Sequence, residues 1–200
     1  MRTIFAAGAL SILLLGSAQQ AVARPHAIQL PRQQALGKSL RHAAVRSLPA
    51  QHKRTGNGLS ALEQDVAARI NAQRGARGLK PLRVSRGLSA AAAYHSREMG
   101  LRGFFEHESG NGAPFWKRIE RFYPMGRGAW SVGENIFYET PNTSAASTVG
   151  EWMNSPPHRQ NILDPEWREI GIGAVHLASA RGEYHGRAVT LVTADFGVRG

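Results

Sequence analysis

Two long runs near the C-terminus, EIGIGAVHLA (169–178) and RAVTLVTADFGV (187–198), are separated by the eight residues SARGEYHG. Segments rich in Val, Ile and Thr around a loop of this length read as two strands of a hairpin. GENIFYE (133–139) supplies a third strand. Helical spacing dominates between residue 60 and these runs. Helices packed on a mostly antiparallel sheet weighted toward the C-terminus are therefore expected, an α+β sandwich.

The helix boundaries follow from caps and breakers. Ser60 and Glu63 form an S-x-x-E capping box, and Leu62, Val66 and Ile70 follow at four-residue spacing. That helix is expected to end around RGARG, where Gly75 and Gly78 release the chain. A second helix fits residues 86–100, with Leu88, Ala91, Ala92, His95 and Met99 on one face and Gly100 as its stop. A helical turn starts at Pro114, with Phe115, Trp116 and Ile119 apolar. Asn142 or Thr143 is expected to cap a further helix that turns Ala146, Val149, Trp152 and Met153 inward. Pro156 and Pro157 end it, because neither donates a backbone hydrogen bond. His158 and Arg159 then fall in a rigid turn. No internal repeat or heptad run is evident.

The N-terminus divides from this domain. Residues 1–23 have a basic start, an apolar run and the small residues Ala21-Val22-Ala23, the pattern of a secretory signal peptide. Residues 24–58 carry seven Lys or Arg and no acid, and read as a disordered basic linker. Residues 59–200 form the domain, with 17 basic and 14 acidic side chains. Most of the net charge of +11 therefore belongs outside the domain. The linker can touch anionic envelope surfaces weakly through screened electrostatics. It has no aromatic residue on which bases would stack, so a nucleic-acid partner is not expected. The chain contains no cysteine, which excludes disulfides, a thiol nucleophile and a cysteine zinc site. An exported protein in the periplasm or outside the cell is the expectation.

Six fragments then occur in order: AYHSREM, FFEHES, GENI, EWMNSPPHRQNIL, IGIGAV and VTADFG. Together they resemble the CAP superfamily, or SCP domain, of cysteine-rich secretory proteins, antigen 5 and pathogenesis-related 1 proteins. The likeness is to its cysteine-free bacterial branch and covers about residues 60–198. The resemblance implies a three-layer α-β-α sandwich with a central antiparallel sheet. It also implies a cleft lined by two His and two Glu, in which some members bind zinc or another divalent cation. By motif, the His positions fall on His107 and His158 and the first Glu on Glu134. The second Glu position falls on Ser155.

Two neutral imidazoles suit zinc, although catalytic zinc normally has three protein ligands and a water. Glu134 is either a third ligand or the group that orients a ligand imidazole. Ser155 in place of a carboxylate predicts weaker cation binding than a closed structural site, and a fold that needs no metal. Arg159 is expected to support the turn or pair with a carboxylate, and Asn161 to bond nearby backbone. The function expected is a binding module for a small-molecule, lipid or cell-wall ligand, with or without a divalent cation. The alternatives are a metal-assisted hydrolase using Glu134 as base and adhesion through the basic linker. His95 reads as a packed, hydrogen-bonded histidine, His176 and His185 as surface residues, and the four tryptophans as anchors. GIG at 171–173 and Asp195 of TADFG lack the setting of a phosphate cradle or a kinase magnesium motif.

Overall fold

The computed structural model describes residues 60–200. The signal-peptide and linker expectations lie outside these residues. Helix α1 spans Ala61–Gly75 and opens on the expected capping box. The Ser60 amide donates to Glu63 Oε2 at 2.6 Å, and the Ala174 amide donates to Glu63 Oε1 at 2.9 Å. The same carboxylate thus starts a helix and ties it to a strand.

A two-residue strand β1 (Arg83–Val84) leads into α2 (Arg86–Arg102). The third helix is α3 (Phe115–Phe122), followed by β2 (Trp130–Glu139) and α4 (Ala145–Asn154). Helix α5 (Pro156–Leu163), β3 (Glu169–Leu177) and β4 (Val189–Arg199) complete the order. The sheet runs β1-β3-β4-β2. Its three long strands are antiparallel, as expected, and the short β1 adds a parallel pair with β3 that the sequence did not announce.

Alternation along the strands feeds two layers. Ile170, Ile172, Val192, Ala194 and Phe196 pack with Val66, Ile70, Val149, Trp152 and Ile162 from α1, α4 and α5. On the opposite face Leu88, Ala91 and Met99 of α2 and Ile119 of α3 cover the sheet. Gly171 and Gly173 explain how closely α2 lies. A Cβ at either would strike the α2 backbone around Leu88–Ser89 or Ala92–Ala93. Ser96 then donates to the Gly173 carbonyl at 2.9 Å and meets Thr193 Oγ1 at 2.8 Å.

Three expected boundaries move. Helix α2 runs past Gly100 and stops at Gly103, whose φ of 78° is left-handed; Gly100 instead faces Leu177 and Leu191. Helix α4 is capped by Ser144, not by Asn142 or Thr143, with the Ser147 amide donating to Ser144 Oγ at 3.1 Å. Pro156 and Pro157 do end α4, but they also begin α5, where a missing N–H costs nothing. His158, Arg159 and Asn161 are therefore helical residues rather than turn residues. Arg74, fully buried, holds the far end of α5: its Nη1 donates to the Ile162 and Asp164 carbonyls, both at 2.8 Å.

Candidate functional site

GEN at the middle of β2 assembles the site. β2 is the last strand of the sheet, and alternate residues on it serve opposite layers. Gly133 leaves room, since a Cβ there would lie 3.1 Å from Asn161 Oδ1 and 3.0 Å from the Trp167 ring. Glu134 points toward α2 and α3. Asn135 points toward α5, where its Nδ2 donates to the His158 carbonyl at 3.0 Å. Asn161 Nδ2 donates to the Glu134 carbonyl at 3.1 Å and to Asn135 Oδ1 at 2.9 Å. Asn161 does bond backbone, but on another element, and so locks α5 onto β2.

Glu134 is buried and engaged on both carboxylate oxygens. His107 Nδ1 lies 2.9 Å from Oε1, and Arg118 Nη2 donates to Oε2. Burial drives this carboxyl upward, but the His107 hydrogen bond and the Arg118 charge outweigh it, so it sits below the ordinary carboxylate range. An ionised carboxylate can only accept, so His107 carries its proton on Nδ1 and its lone pair on Nε2. The imidazole is one-third exposed, which leaves that lone pair on the accessible part of the site.

Arg118 does more than balance charge. Its Nη1 donates to the His107 carbonyl and to Ser109 Oγ, both at 3.2 Å, so one guanidinium fixes both the loop and the carboxylate. His95 is fully buried behind them, with Nε2 2.9 Å from the Glu106 carbonyl and 4.0 Å from Glu134 Oε1. A carbonyl accepts, so the His95 proton is on Nε2. Burial holds this histidine below its usual range and therefore neutral.

His158 approaches from the other layer, in the first turn of α5. It is half-buried. Desolvation lowers its basicity, and the His107 imidazole lowers it further. Ser155 caps both α4 and α5 and precedes His158 by three residues, a spacing at which side chains adjoin. Arg159 donates to the Met153 carbonyl at 3.2 Å and so supports the α4–α5 junction. Its guanidinium has no carboxylate partner among the described residues. Among the described residues no group of three His, Cys, Asp or Glu side chains is arranged to hold a metal ion. A groove between α1 and α4, lined by Arg69, Gln73 and Met153 among others, shares no residue with this cluster.

Sequence reasoning passed over Arg118 and undervalued His95 and Asp195. Arg118 adjoins the apolar Ile119 in a short helix that also carries Lys117 and Arg121, so nothing local marked it as the buried cation. His95 was legible as a buried histidine, but its neighbour Glu134 was not. Nothing local distinguished Asp195.

A model of the cysteine-rich secretory protein family, CAP, matches residues 67–194. The uncharacterized protein YkwD of Bacillus subtilis (strain 168) is 37% identical over 124 residues, covering 60% of this chain and 45% of that protein. The uncharacterized membrane protein YlbC of the same organism is 29% identical over 111 residues, 56% of this chain and 31% of that protein. The chain thus spans less than half the length of either curated relative. Among solved structures, an extracellular SCP-domain protein of Bacillus anthracis str. Ames superposes with a TM-score of 0.54 and 22% identity, over 69% of this chain and 40% of that one. An outer surface protein of Borrelia burgdorferi gives 0.53 and 18%, over 69% of this chain and 95% of that one.

Proposed function

Since this chain belongs to the cysteine-rich secretory protein (CAP) family, we propose that it is an exported binding module whose His107–Glu134–His158 cleft takes a small or polymeric ligand. A divalent cation such as zinc would be held by the two imidazoles. The observation that carries this reading is the carboxylate–imidazole pair. Glu134 fixes the His107 tautomer so that Nε2 keeps a free lone pair, the arrangement metal-ligating histidines commonly have. Water would complete the shell of a cation held by His107 and His158. Such an ion would supply Lewis acidity or a bridge to an anionic ligand group.

Glu134 would then orient His107 rather than bind the ion. Both its oxygens are taken, by His107 and by Arg118. That engagement also disfavours the hydrolase reading, in which the same carboxylate must abstract a proton from water. Export has support from the extracellular and outer-surface names of the two structural neighbours.

Zinc titrated calorimetrically into the chain is expected to bind weakly, with affinity falling on acidification as imidazoles protonate. The His107→Ala/His158→Ala double variant should lose that binding. Equal heats from both proteins would remove the cation from this site. Ser155→Glu sets a carboxylate beside His158 at the start of α5, where the helix dipole favours an acid. Zinc affinity should rise about tenfold or more, and an unchanged affinity would separate Ser155 from the site.

A further inference from the structure

Asp195 is a buried carboxyl on the central strand β4. It lies on β4 directly across the ladder from Glu134, with no exposed surface. Cross-strand partners project to the same face, so two carboxyl groups share one dry space. Neither Asp195 oxygen meets a hydrogen-bond donor among the described residues. Its neighbour Glu134 is another acceptor, and a contact between two acceptors becomes a hydrogen bond only when one of them carries a proton.

The groups facing this space come from four elements. They are Glu134 from β2, Arg118 from α3, His95 from α2 and His107 from the loop after α2. β3 offers only Gly171 opposite Asp195. Arg118 is the permanent cation among these, and its hydrogen bonds go to Glu134, the His107 carbonyl and Ser109. One guanidinium neutralises one carboxylate. Two adjoining carboxylates in a dry site cannot both stay ionised, so one keeps its proton. Glu134 holds the donors and is the ionised member.

We propose that Asp195 is a positioning residue of this site, a buried neutral acid whose O–H donates to the Glu134 carboxylate and holds it on His107 Nδ1. Burial, then the adjacent Glu134 charge, raise the Asp195 carboxyl well above its ordinary range, and Arg118 only partly opposes them. Glu134 thereby accepts from three partners, His107, Arg118 and Asp195. Its charge is spread over fixed donors, and His107 is kept in one orientation and one tautomer. The inference needs neither a metal nor a ligand in the cleft, so it stands or falls separately from the cation reading.

Carboxyl-carbon NMR of the wild-type chain between about pH 2.5 and 9 tests it directly. The Asp195 resonance should hold its protonated position through neutrality, and a midpoint at the ordinary value of about 3.9 would overturn the proposal. Two variants test the positioning role, read from the ring nitrogen NMR shifts of His107. Asp195→Asn stays neutral and keeps an N–H donor, so the Nδ1–H tautomer should persist as in the wild type. Asp195→Leu removes the donor, and the ring should then show mixed tautomers. An unchanged single tautomer in the Leu variant would reduce Asp195 to packing, and mixed tautomers in the Asn variant would mean that a neutral donor there does not hold Glu134; either result sinks the proposal. Should the Leu variant fail to fold, the wild-type carboxyl titration and the Asn variant still decide. Stability offers a further arm. The native state keeps a proton that the unfolded chain releases above about pH 4, so this contribution is full below that pH and is lost as pH rises through the raised Asp195 midpoint. Asp195→Asn should abolish that decline, whereas parallel stability curves would contradict the assignment.

Discussion

Arg118→Met is expected to lower folding stability by about 3–5 kcal/mol at pH 7, the range for stripping one partner from a buried ion pair. The side chains of Arg118 and Glu134 are each only 1% exposed, so water cannot replace the lost guanidinium. Glu134 would be left with His107 and the proposed Asp195 donor, both without net charge to offset its own, and the loop carrying His107 would lose two further hydrogen bonds. The pH dependence follows from the depressed Glu134 carboxyl. Its contribution is present above the unfolded carboxylate midpoint of about 4.3 and is lost as pH falls through the lower folded value. The gap between wild type and variant should therefore be widest near neutrality and close below about pH 4. Urea unfolding at several pH values measures it, and a loss under about 1 kcal/mol at pH 7 would contradict the pair's role. Arg118→Lys should recover little, because an ammonium cannot fork between the loop and the carboxylate.

Gly173→Ala is the second large effect, about 3 kcal/mol or more of lost stability. The added methyl would meet the backbone of α2 at Ala92 and Ala93, and backbone cannot swing aside as a side chain can. Either α2 lifts from the sheet or β3 bends, and α2 carries His95 and leads into the His107 loop. Gly150→Ala is the control. That glycine lies within α4, where an added methyl would have nothing within 4 Å, so alanine should stabilise by about 0.5–1 kcal/mol. Comparable losses at both positions in thermal unfolding would refute the close-approach argument.

These two sites show where sequence reading was strong and where it ran out. The Ser60–Glu63 capping box, the strand runs and the proline break were legible because caps, period and breakers act over a few residues. The three long strands appear within about three residues of their expected spans. The errors were local ambiguities that packing resolved. Gly100 has a good stop residue's chemistry, but burial against Leu177 and Leu191 lets α2 continue to Gly103. Pro156-Pro157 end one helix and also start the next, and the second role is supported by contacts distant in sequence, from Arg74 to Ile162 and from Asn161 of α5 to Glu134 of β2.

The site divides in the same way. Motif likeness put His107, Glu134, His158 and Ser155 forward as a group, without distances. It could not say that Glu134 has both oxygens engaged, because Arg118 lies 16 positions away on a separate helix. Nor could it pair Asp195 with Glu134, since strand register is a property of the folded sheet.

The sequence by itself determined the kinds of element, their order, the lack of any disulfide and the residue types available for chemistry. These depend on side-chain spacing and composition, which are local. Tertiary structure alone decided which groups face one another: two carboxyls, one guanidinium and the imidazoles of His95 and His107 on one face of an edge strand. Charge state and tautomer depend on burial and neighbours, and both exist only once the layers have closed.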